Sequence, residues 1–382
     1  MVVEPRGAQR WRQGHPWIYR SDVARGDAAP GVVRVANRAG RFLGQALWSP
    51  ASEIRLRFLT DEQEPVGPGW WARRIGAAQA RRAALDPPAT AYRVVHAEGD
   101  GLPSLIVDRY GPYVVAQLLS AGLEAVRADV LGAIDAVLAP DGVLLRNDAS
   151  VRRHEGLPLA IEPVRGNVPD PIEVEEGGVR YLAAPRTGQK TGAFLDQREH
   201  HALMGRLARG RALDLFCYHG LFALHMAGRA ERVLGIDSSA AALAVAERNR
   251  QLNGRANVAW QEGNAFDVLR ELERADVRFE TIVLDPPAFA KDRAAVAGAL
   301  RGYKEINLRA IKLLAPGGVL FTVSCSFHVR RAQFFAMLAD AAADSGRRVT
   351  LRQTLGQPAD HPEIVTVPET GYLKGALLHV TE

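Results

Sequence analysis

The chain has 382 residues, of which 47% are hydrophobic and 24% are charged. This composition is typical of a globular protein of two or three domains and excludes a largely disordered chain. No stretch approaches the ~18 apolar residues of a membrane span, and the N-terminus lacks the apolar segment of a secretory signal. Two cysteines, Cys217 and Cys325, are too few for a disulfide framework or a cysteine-rich zinc site. We therefore predict a cytoplasmic protein with no metal and no membrane partner.

The positive charge is concentrated at the start of the chain. Lysine and arginine number 48 against 43 acidic residues, and residues 1–60 alone contain ten arginines and four acids. This excess suggests an anionic partner for that segment. Only five basic residues are lysines, at positions 190, 291, 304, 312 and 374. Such a bias toward arginine is typical of a GC-rich genome. A retained lysine is then a candidate for a position that needs a compact ammonium group, the alternative being an ordinary solvated surface lysine.

Three segments differ in their pattern. In residues 1–66, strand-like runs at 31–35, 41–48 and 53–59 predict a small β-barrel or sandwich. The last run alternates apolar residues with arginine, so we expect it to expose its arginines on one face. Residues 67–171 predict a compact α+β unit. Its elements are helices at 70–85 and 123–138 and strands at 92–97, 105–108, 113–119 and 143–146.

Residues 172–382 begin with a β-hairpin signal at 172–182 and then alternate strands with helices. Strands are predicted at 212–216, 232–236, 258–261, 281–284 and 319–323, and the clearest helix at 240–252. Runs at 349–355 and 376–380 could add antiparallel edge strands. This alternation predicts a doubly wound, Rossmann-like α/β sheet that binds its ligand at the carboxyl ends of its strands.

The strand ends carry the residues expected of a nucleotide-type site. The first strand leads through Asp214, Phe216 and Tyr218 to Gly220, whose freedom allows a sharp turn into a helix. There is no G-x-G-x-x-G fingerprint, which counts against NAD, and Thr187–Gly192 lacks the spacing of a phosphate-binding P-loop. We predict that Asp214, Phe216, Tyr218 and Gly220 contact a cofactor.

The next strand ends supply further polar groups. Asp237 suits a grip on ribose hydroxyls, or alternatively caps the next helix. Asn264, followed by Ala265, could read the edge of a base or simply cap its own helix. The fourth strand ends in Asp285-Pro286-Pro287-Ala288-Phe289, a rigid loop because proline fixes the backbone and removes donors.

The sequence resembles a known family. Residues 172–382 look like a class I S-adenosylmethionine-dependent methyltransferase, and the whole chain resembles the RlmI/YccW-type family of large-subunit rRNA (cytosine, carbon 5) methyltransferases. The matching stretches are GHPWIYRSDV (14–23), HAEGDGLPSLIVDRYG (96–111), RNDAS (146–150), EGLPL (155–159), RTGQKTGAFLDQREH (186–200), LDPPAFAK (284–291) and VSCS (323–326). The chain departs from the family at His219 and Leu221, where smaller residues are usual, and at Asn264, where Asp is common.

The resemblance implies an RNA-binding PUA-like domain (1–66), a linking α+β domain (67–171) and a catalytic domain (172–382). It also implies S-adenosylmethionine as cofactor, large-subunit rRNA as partner and a homodimer. Lys190 and Gln197 join the cofactor contacts, and Asp285 serves both the cofactor and the base.

A carbon-5 methyltransferase needs a nucleophile, because carbon 5 of cytosine is not nucleophilic until a thiolate adds at carbon 6. Cys325 follows a strand between two serines, at the edge where reactive groups gather, and matches the S-C-S motif of the family. We predict that Cys325 is the nucleophile, that Asp285 holds the cytosine ring, and that Cys217 is a buried apolar residue. No second cysteine follows Asp285-Pro286.

RNA contacts are predicted on both ends of the chain. In the basic N-terminal segment, Arg10, Arg12, His15 and Arg20 lie near Trp11 and Trp17 and offer charge and stacking. In the catalytic segment, Phe289 or Phe194 could stack on a base extruded from its helix. Lys190 and Lys291 could contact phosphate or lower the pKa of the thiol.

Two other interpretations remain open. The D-P-P-x-F loop is also typical of enzymes that methylate exocyclic amines, here guanine N2 or adenine N6 of rRNA, without any thiol. A non-catalytic RNA-binding or ribosome assembly factor could keep the cofactor fold as a scaffold.

Overall fold

The computed structural model describes residues 1–290 and 292–381. Within these residues the chain forms two compact units. The first comprises residues 1–174, 183–196 and 358–371, and the second comprises residues 175–182, 197–357 and 372–382. Residues 183–196 and 358–371, which the sequence analysis places in the third segment, thus pack with the first unit.

The first unit begins with a six-stranded sheet. Its elements are β1 (Val2–Val3), α1 (Pro5–Arg12), β2 (Trp17–Tyr19), a 3-10 turn (Arg20–Asp22), β3 (Val23–Arg25), β4 (Gly31–Asn37), β5 (Phe42–Trp48) and β6 (Ile54–Thr60). The strand order is β2-β6-β5-β4-β1-β3. Ile18, Val35 and Leu56 are fully buried in one hydrophobic cluster that also contains Ala8 of α1, and this burial drives the folding of the small domain.

The expectation of exposed arginines on β6 is wrong for Arg57. Its side chain is buried, and its guanidinium lies 2.8 Å from the carboxylate of Glu155 and donates to the Ile54 carbonyl. A buried arginine needs such partners because an unpaired charge in the interior is costly. The alternating pattern could not reveal an acid 98 residues away.

A five-stranded sheet follows, in the order β11-β10-β9-β8-β7. Its elements are α2 (Pro68–Arg81), β7 (Ala91–His96), a 3-10 turn (Ala97–Asp100), β8 (Leu105–Tyr110), β9 (Tyr113–Leu118), α3 (Ala121–Glu124), α4 (Arg127–Leu138), β10 (Gly142–Asn147), α5 (Val151–His154) and β11 (Ala160–Arg165). The helix predicted over 123–138 is divided into α3 and α4. The Ser120 hydroxyl caps α3 by accepting a hydrogen bond from the Leu123 amide.

A two-stranded hairpin, β12 (Ile172–Glu176) and β13 (Val179–Ala183), matches the predicted hairpin and precedes the second unit's seven-stranded sheet. The remaining elements are a 3-10 turn (Leu195–Gln197), α6 (Arg198–Leu207), β14 (Arg211–Leu215), α7 (Leu221–Met226), β15 (Arg232–Asp237), α8 (Ala240–Leu252), β16 (Val258–Glu262), α9 (Ala265–Arg274), β17 (Phe279–Leu284), α10 (Val296–Leu313), β18 (Leu314–Ser324), α11 (Arg331–Ser345), β19 (Val349–Leu355), a 3-10 turn (Pro368–Thr370) and β20 (Lys374–Val380).

The predicted doubly wound sheet is confirmed. Its order is β16-β15-β14-β17-β18-β20-β19. The first five strands are mutually parallel, and β20 pairs antiparallel with both β18 and β19. The chain adds β15 and β16 on one side of β14 and then β17 and β18 on the other. In sheets of this kind, ligands bind at the carboxyl ends of the two strands where the winding changes side, here β14 and β17. Among the described residues, no helix combines the length and apolarity that crossing a bilayer requires.

A buried ionic cluster joins the β12 strand to α6 and α7. The Glu176 carboxylate lies 2.6 Å from His201 Nδ1 and 3.2 Å from His225 Nε2, and all three side chains are buried. Burial opposes ionisation of Glu176, but the two imidazoles outweigh it and lower its pKa to about 2. Burial also lowers the pKa of His225 below its ordinary value.

Both shifts make the fold less stable in acid. As the pH falls below about 6.5, the unfolded chain protonates His225 more readily than the folded chain does, and below about 4.5 the same holds for Glu176. We expect the free energy of unfolding of the wild-type protein to decrease as the pH falls from 7 to 4. Urea denaturation across this range measures the decrease.

The variant Glu176→Gln tests the cluster itself. It leaves two buried imidazoles without their carboxylate, which should lower the free energy of unfolding at pH 7.5 by about 3 kcal/mol. Glu175→Gln, at the exposed neighbouring position of β12, is the matched control and should change it by less than about 0.5 kcal/mol. Equal losses in the two variants would contradict a role for the buried cluster.

Candidate active site

The turn that follows β14 is built from backbone conformations that side chains seldom adopt. Phe216, Tyr218 and Gly220 have φ angles of 64°, 48° and 81°. The left-handed region costs of order 1 kcal/mol for each non-glycine residue and persists where the surroundings enforce it, commonly at functional sites. The prediction that Gly220 permits a sharp turn into a helix is confirmed, since it is the residue immediately before α7.

Trp260, which the sequence analysis did not single out, packs closely against this turn. A Cβ added to Gly220 or to Gly235 would approach the Trp260 ring to 2.4 Å. The indole nitrogen donates to Glu247 on α8. The two glycines are therefore required by the close approach of an aromatic ring that bridges the ends of β14 and β15.

Asp214 is fully buried near the end of β14. One carboxylate oxygen accepts a hydrogen bond from the Ala223 amide at 2.9 Å, while Oδ1 has no hydrogen-bond partner among the described residues. Burial raises the pKa of Asp214 well above its usual range. The Ala223 amide opposes this rise, and the Asp285 and Asp237 carboxylates add to it. Three acids thus face the same end of the sheet, where a cationic group would relieve their repulsion.

Asp237 does not cap the following helix. Ser239 is the cap, and its hydroxyl accepts from the Ala242 amide. The two carboxylate oxygens of Asp237 accept from the backbone amides of Tyr218 and Ser239, each at 2.9 Å. Each oxygen retains capacity to accept from a hydroxyl group, so the half-exposed carboxylate suits a ligand with two adjacent hydroxyls.

At the third strand end, Asn264 does cap its helix. Its side-chain oxygen accepts from the Phe266 amide at 2.9 Å, and the side chain is exposed, whereas Ala265 is buried. A second lone pair on the amide oxygen remains for a ligand. The contact of these two residues with a base stays a prediction.

The structure brings Cys325 and the D-P-P loop together. The Cys325 Sγ lies 3.9 Å from the carbonyl oxygen of Pro286, because β17 and β18 are adjacent parallel strands and both residues follow a strand end. Cys325 and Asp285 are half-buried, and the Asp285 amide contacts the Leu215 carbonyl at the end of β14. A partly exposed thiol therefore lies beside the D-P-P loop. Both are at the acid-lined edge of the sheet, defined as the strand ends that carry Asp214, Asp237 and Asp285.

The Tyr303 hydroxyl fixes this loop. Tyr303 is buried on α10, and its hydroxyl lies 2.8 Å from Ser326 Oγ and 3.4 Å from the Pro287 carbonyl. The Ala290 amide donates to the same Ser326 hydroxyl. These hydrogen bonds connect Ser326, the residue after Cys325, to the D-P-P loop on the other side of the thiol. Sequence reasoning missed Tyr303 because an aromatic residue on the apolar face of a helix signals only core packing.

Aromatic residues near the thiol divide into buried and exposed ones. The half-buried ring of Phe289 packs 4.6 Å from Tyr303 and 6.0 Å from Phe266. Phe327, two residues after Cys325, is 54% exposed and was not predicted. Lys291 lies outside the described residues.

Other predicted residues have internal partners. Gln197 is buried with its side-chain oxygen 2.6 Å from His200 Nδ1. Cys217 is buried, and burial raises the pKa of its thiol, as expected of an inert packing cysteine. His219, where the family usually has a small residue, stacks on Tyr218 at 3.7 Å, and burial lowers its pKa to about 4. Its bulk is thus accommodated as a neutral ring.

Within the first unit, Lys190 lies 2.8 Å from Asp196 and over the Phe194 ring. Arg10 lies 4.5 Å from the Tyr19 ring centroid and 3.8 Å from Asp22. His15 lies 3.3 Å from Glu369.

Arg12 and Arg20 are exposed, although Arg20 contacts Glu53. Trp11 stacks on Phe58, and the Trp17 indole donates to Glu98. Of the predicted RNA contacts in this segment, only these two arginines thus present exposed side chains.

The polar groups at these strand ends fit S-adenosylmethionine. The unpartnered Asp214 oxygen suits an ammonium group, Asp237 suits the ribose hydroxyls, and the Tyr218–Gly220 turn presents backbone beside both. This fit rests on a buried oxygen that lacks a partner among the described residues, a costly arrangement that a bound cation would resolve.

Comparison with known proteins identifies a family for each end of the chain. Residues 136–378 match the S-adenosylmethionine-dependent methyltransferase family, and residues 1–61 match the PUA-like domain. The crystal structure of SMU.776 complexed with SAH is similar with a TM-score of 0.85 at 19% identity, covering 100% of this chain and 99% of that one. The M. jannaschii tRNA m1G37 methyltransferase shares the fold with a TM-score of 0.52 at 13% identity, over 86% of this chain and 82% of that one.

Close relatives cover nearly the whole chain. The ribosomal RNA large subunit methyltransferase I of Erwinia tasmaniensis is 40% identical over 372 residues, 94% of both chains. The protein of the same name from Shewanella amazonensis is 40% identical over 377 residues, 96% of this chain and 95% of the relative. With its PUA-like domain and Rossmann-like methyltransferase domain, this chain belongs to the S-adenosylmethionine-dependent methyltransferases, in the family of the ribosomal RNA large subunit methyltransferases I.

Proposed function

We propose that this protein methylates carbon 5 of a cytosine in large-subunit ribosomal RNA. The observation that carries the proposal is the half-buried Cys325 thiol, 3.9 Å from the Pro286 carbonyl at the acid-lined edge of the sheet. The names of the relatives at 40% identity support ribosomal RNA as substrate. An enzyme acting on an exocyclic amine would have no use for a thiol at this position.

The chemistry follows from what each group can do. S-adenosylmethionine, when bound, would supply an electrophilic methyl group, with S-adenosylhomocysteine as the product. The Cys325 thiolate adds to carbon 6 of cytosine, which makes carbon 5 nucleophilic enough to accept the methyl group. A base then removes the carbon-5 proton, the electron pair restores the ring double bond, and the thiolate is expelled. Asp285 holds the ring by hydrogen bonds to its amino group or ring nitrogen.

The surroundings of the thiol suit a base that has left its helix. The D-P-P loop forms a rigid wall held by Tyr303, and the exposed ring of Phe327, two residues after Cys325, offers a stacking face. In the PUA-like domain, the exposed Arg12 and Arg20 supply charge for the RNA backbone.

A trapping experiment tests the nucleophile. When RNA carries 5-fluorocytosine, no proton can be removed from carbon 5 after methylation, so the thioether bond persists. We expect the wild-type protein, incubated with S-adenosylmethionine and unmethylated rRNA that carries 5-fluorocytosine, to form a covalent adduct visible by denaturing electrophoresis. Cys325→Ala should form none. Cys217→Ala, the buried second cysteine, should still form it.

The same variants separate the competing functions. Methyl transfer to ordinary rRNA by Cys325→Ala at the wild-type rate would refute the carbon-5 mechanism and favour an exocyclic amine. A wild-type protein that fails to bind S-adenosylmethionine would favour the scaffold interpretation.

Cofactor binding depends on Asp237. Asp237→Ala removes two charge-assisted acceptors, and we expect the dissociation constant for S-adenosylmethionine to rise about 10- to 100-fold, measured by calorimetry. Asp267→Ala is the control, since this exposed acid on α9 pairs with Arg270 and should leave the constant unchanged. Equal affinity in Asp237→Ala and the wild type would exclude Asp237 as the ribose ligand.

Tyr303 is expected to act on the rate rather than on cofactor binding. Tyr303→Phe removes the hydroxyl that contacts Ser326 and Pro287, and a lost buried hydrogen bond is worth about 1 kcal/mol. We predict that kcat falls about 5- to 10-fold with unchanged affinity for S-adenosylmethionine. A change in affinity with constant kcat would place the role of Tyr303 elsewhere.

A further inference from the structure

Lys374 is a buried cation for which the described residues supply no acidic partner. It begins β20, is 5% exposed, and no carboxylate lies within 4.0 Å of its ammonium group among the residues the structure describes. Lysine is seldom buried unless it is paired with a charge. Its burial here indicates a function for the ammonium group that outweighs the cost of removing it from water.

The ammonium group is anchored next to Cys325. In the antiparallel ladder Lys374 pairs with Ser324, and its Nζ donates to the Ser326 carbonyl at 2.5 Å and to the Tyr372 carbonyl at 3.0 Å. The residues on both sides of Cys325 thus contact the same lysine. Two of the three ammonium hydrogens are used, and for the third no acceptor lies among the described residues.

The electrostatics of the two groups are reciprocal. Burial lowers the pKa of Lys374 to about 8, and the Cys325 thiolate opposes this by favouring the charged amine. An interaction between two titrating sites acts on both, so the ammonium favours the thiolate to the same extent. At neutral pH Lys374 is still largely protonated and can supply this charge.

Three further groups surround the pair. Arg331, on α11, opposes protonation of Lys374. Burial raises the pKa of Tyr303 on α10, and the Cys325 thiolate adds to that rise, so this phenol stays neutral. Asp285 precedes the Pro286 carbonyl that contacts the thiol, and its negative charge works against a thiolate. A buried cation beside Cys325 offsets this acid.

We propose that Lys374 is a positioning residue that stabilises the Cys325 thiolate and holds the Ser324–Ser326 segment in place through the Ser326 carbonyl. The inference rests on the proposed function in one respect only, that the thiolate is the attacking group. No sequence motif marked the residue, but it is one of the five lysines retained in an arginine-rich chain.

The thiol pKa of Cys325 is measured in the full-length protein without RNA. The rate of alkylation by iodoacetamide is followed from pH 5.5 to 10, with the Cys325 peptide quantified by mass spectrometry. In Lys374→Met we expect the apparent pKa of the thiol to rise by about one unit or more, so that alkylation at pH 7 slows about tenfold. Lys304→Met, a half-exposed lysine paired with Asp344, should match the wild type.

Identical profiles for Lys374→Met and the wild type would overturn the proposal. So would a shift in Lys291→Met that is absent from Lys374→Met, because another lysine would then supply the charge. S-adenosylmethionine affinity checks that the variants are folded. Methyl transfer by Cys325→Ala would refute the carbon-5 mechanism but leaves the alkylation profile as a separate result.

A reciprocal measurement requires no substitution of the lysine. Because the chain has five lysines, a spectrum of protein labelled with 15N-lysine has few side-chain signals to assign. We expect Lys374 to titrate at a lower pH in Cys325→Ala than in the wild type, since the thiolate no longer favours the ammonium form. The same titration midpoint in both proteins would overturn the proposal even if Lys374→Met does not fold.

Discussion

The proposed reactive centre depends on how Ser326 is held at the end of β18. Its hydroxyl accepts from the Ala290 amide and shares a hydrogen bond with Tyr303, while its carbonyl accepts from Lys374. The D-P-P loop, α10 and β20 are therefore all fastened to the residue that follows Cys325. Because a misplacement of about 1 Å can cost about 10²-fold in rate, a nucleophile on a strand end needs such support. Each contact satisfies the hydrogen-bonding capacity of a buried polar group.

The acid-lined edge trades stability for binding. Asp214 is buried with an unpartnered oxygen among the described residues, and its pKa is raised by burial and by its neighbours Asp285 and Asp237. This crowding works against the folded state in the absence of ligand. A cationic ligand would reverse this effect, because a nearby positive charge favours the ionised form of Asp214. The strained turn at Phe216 and Tyr218 has the same logic, since the backbone is held in advance in the conformation that the site requires.

Much of the fold and of the site follows from local sequence patterns. Strand and helix alternation after residue 196 predicts the parallel sheet, and α8 has the predicted bounds. Cys325 and Asp285 could be expected together because they end consecutive strands that lie side by side. What the patterns could not supply are partners distant in the chain. The pairing of Arg57 with Glu155, the hydroxyl contacts of Tyr303 and the approach of Trp260 to two glycines depend on tertiary packing. The partial burial of Arg10 against Tyr19 and Asp22 does so as well.

The excess of arginine over lysine in this chain bears on the role of Lys374. Arginine accounts for 43 of the 48 basic residues, so most positions that need only a positive charge use a guanidinium. A guanidinium is planar, presents five donors and stays charged at any ordinary pH, whereas an ammonium is compact and titrates when buried. Beside Cys325 there are two backbone carbonyls to satisfy, and a guanidinium would leave several donors unpaired in the interior. The ammonium matches the space and the acceptors. The lysine can also lose its proton more readily when the neighbouring thiol is neutral. The retained lysine therefore follows from the chemistry of the thiol beside it.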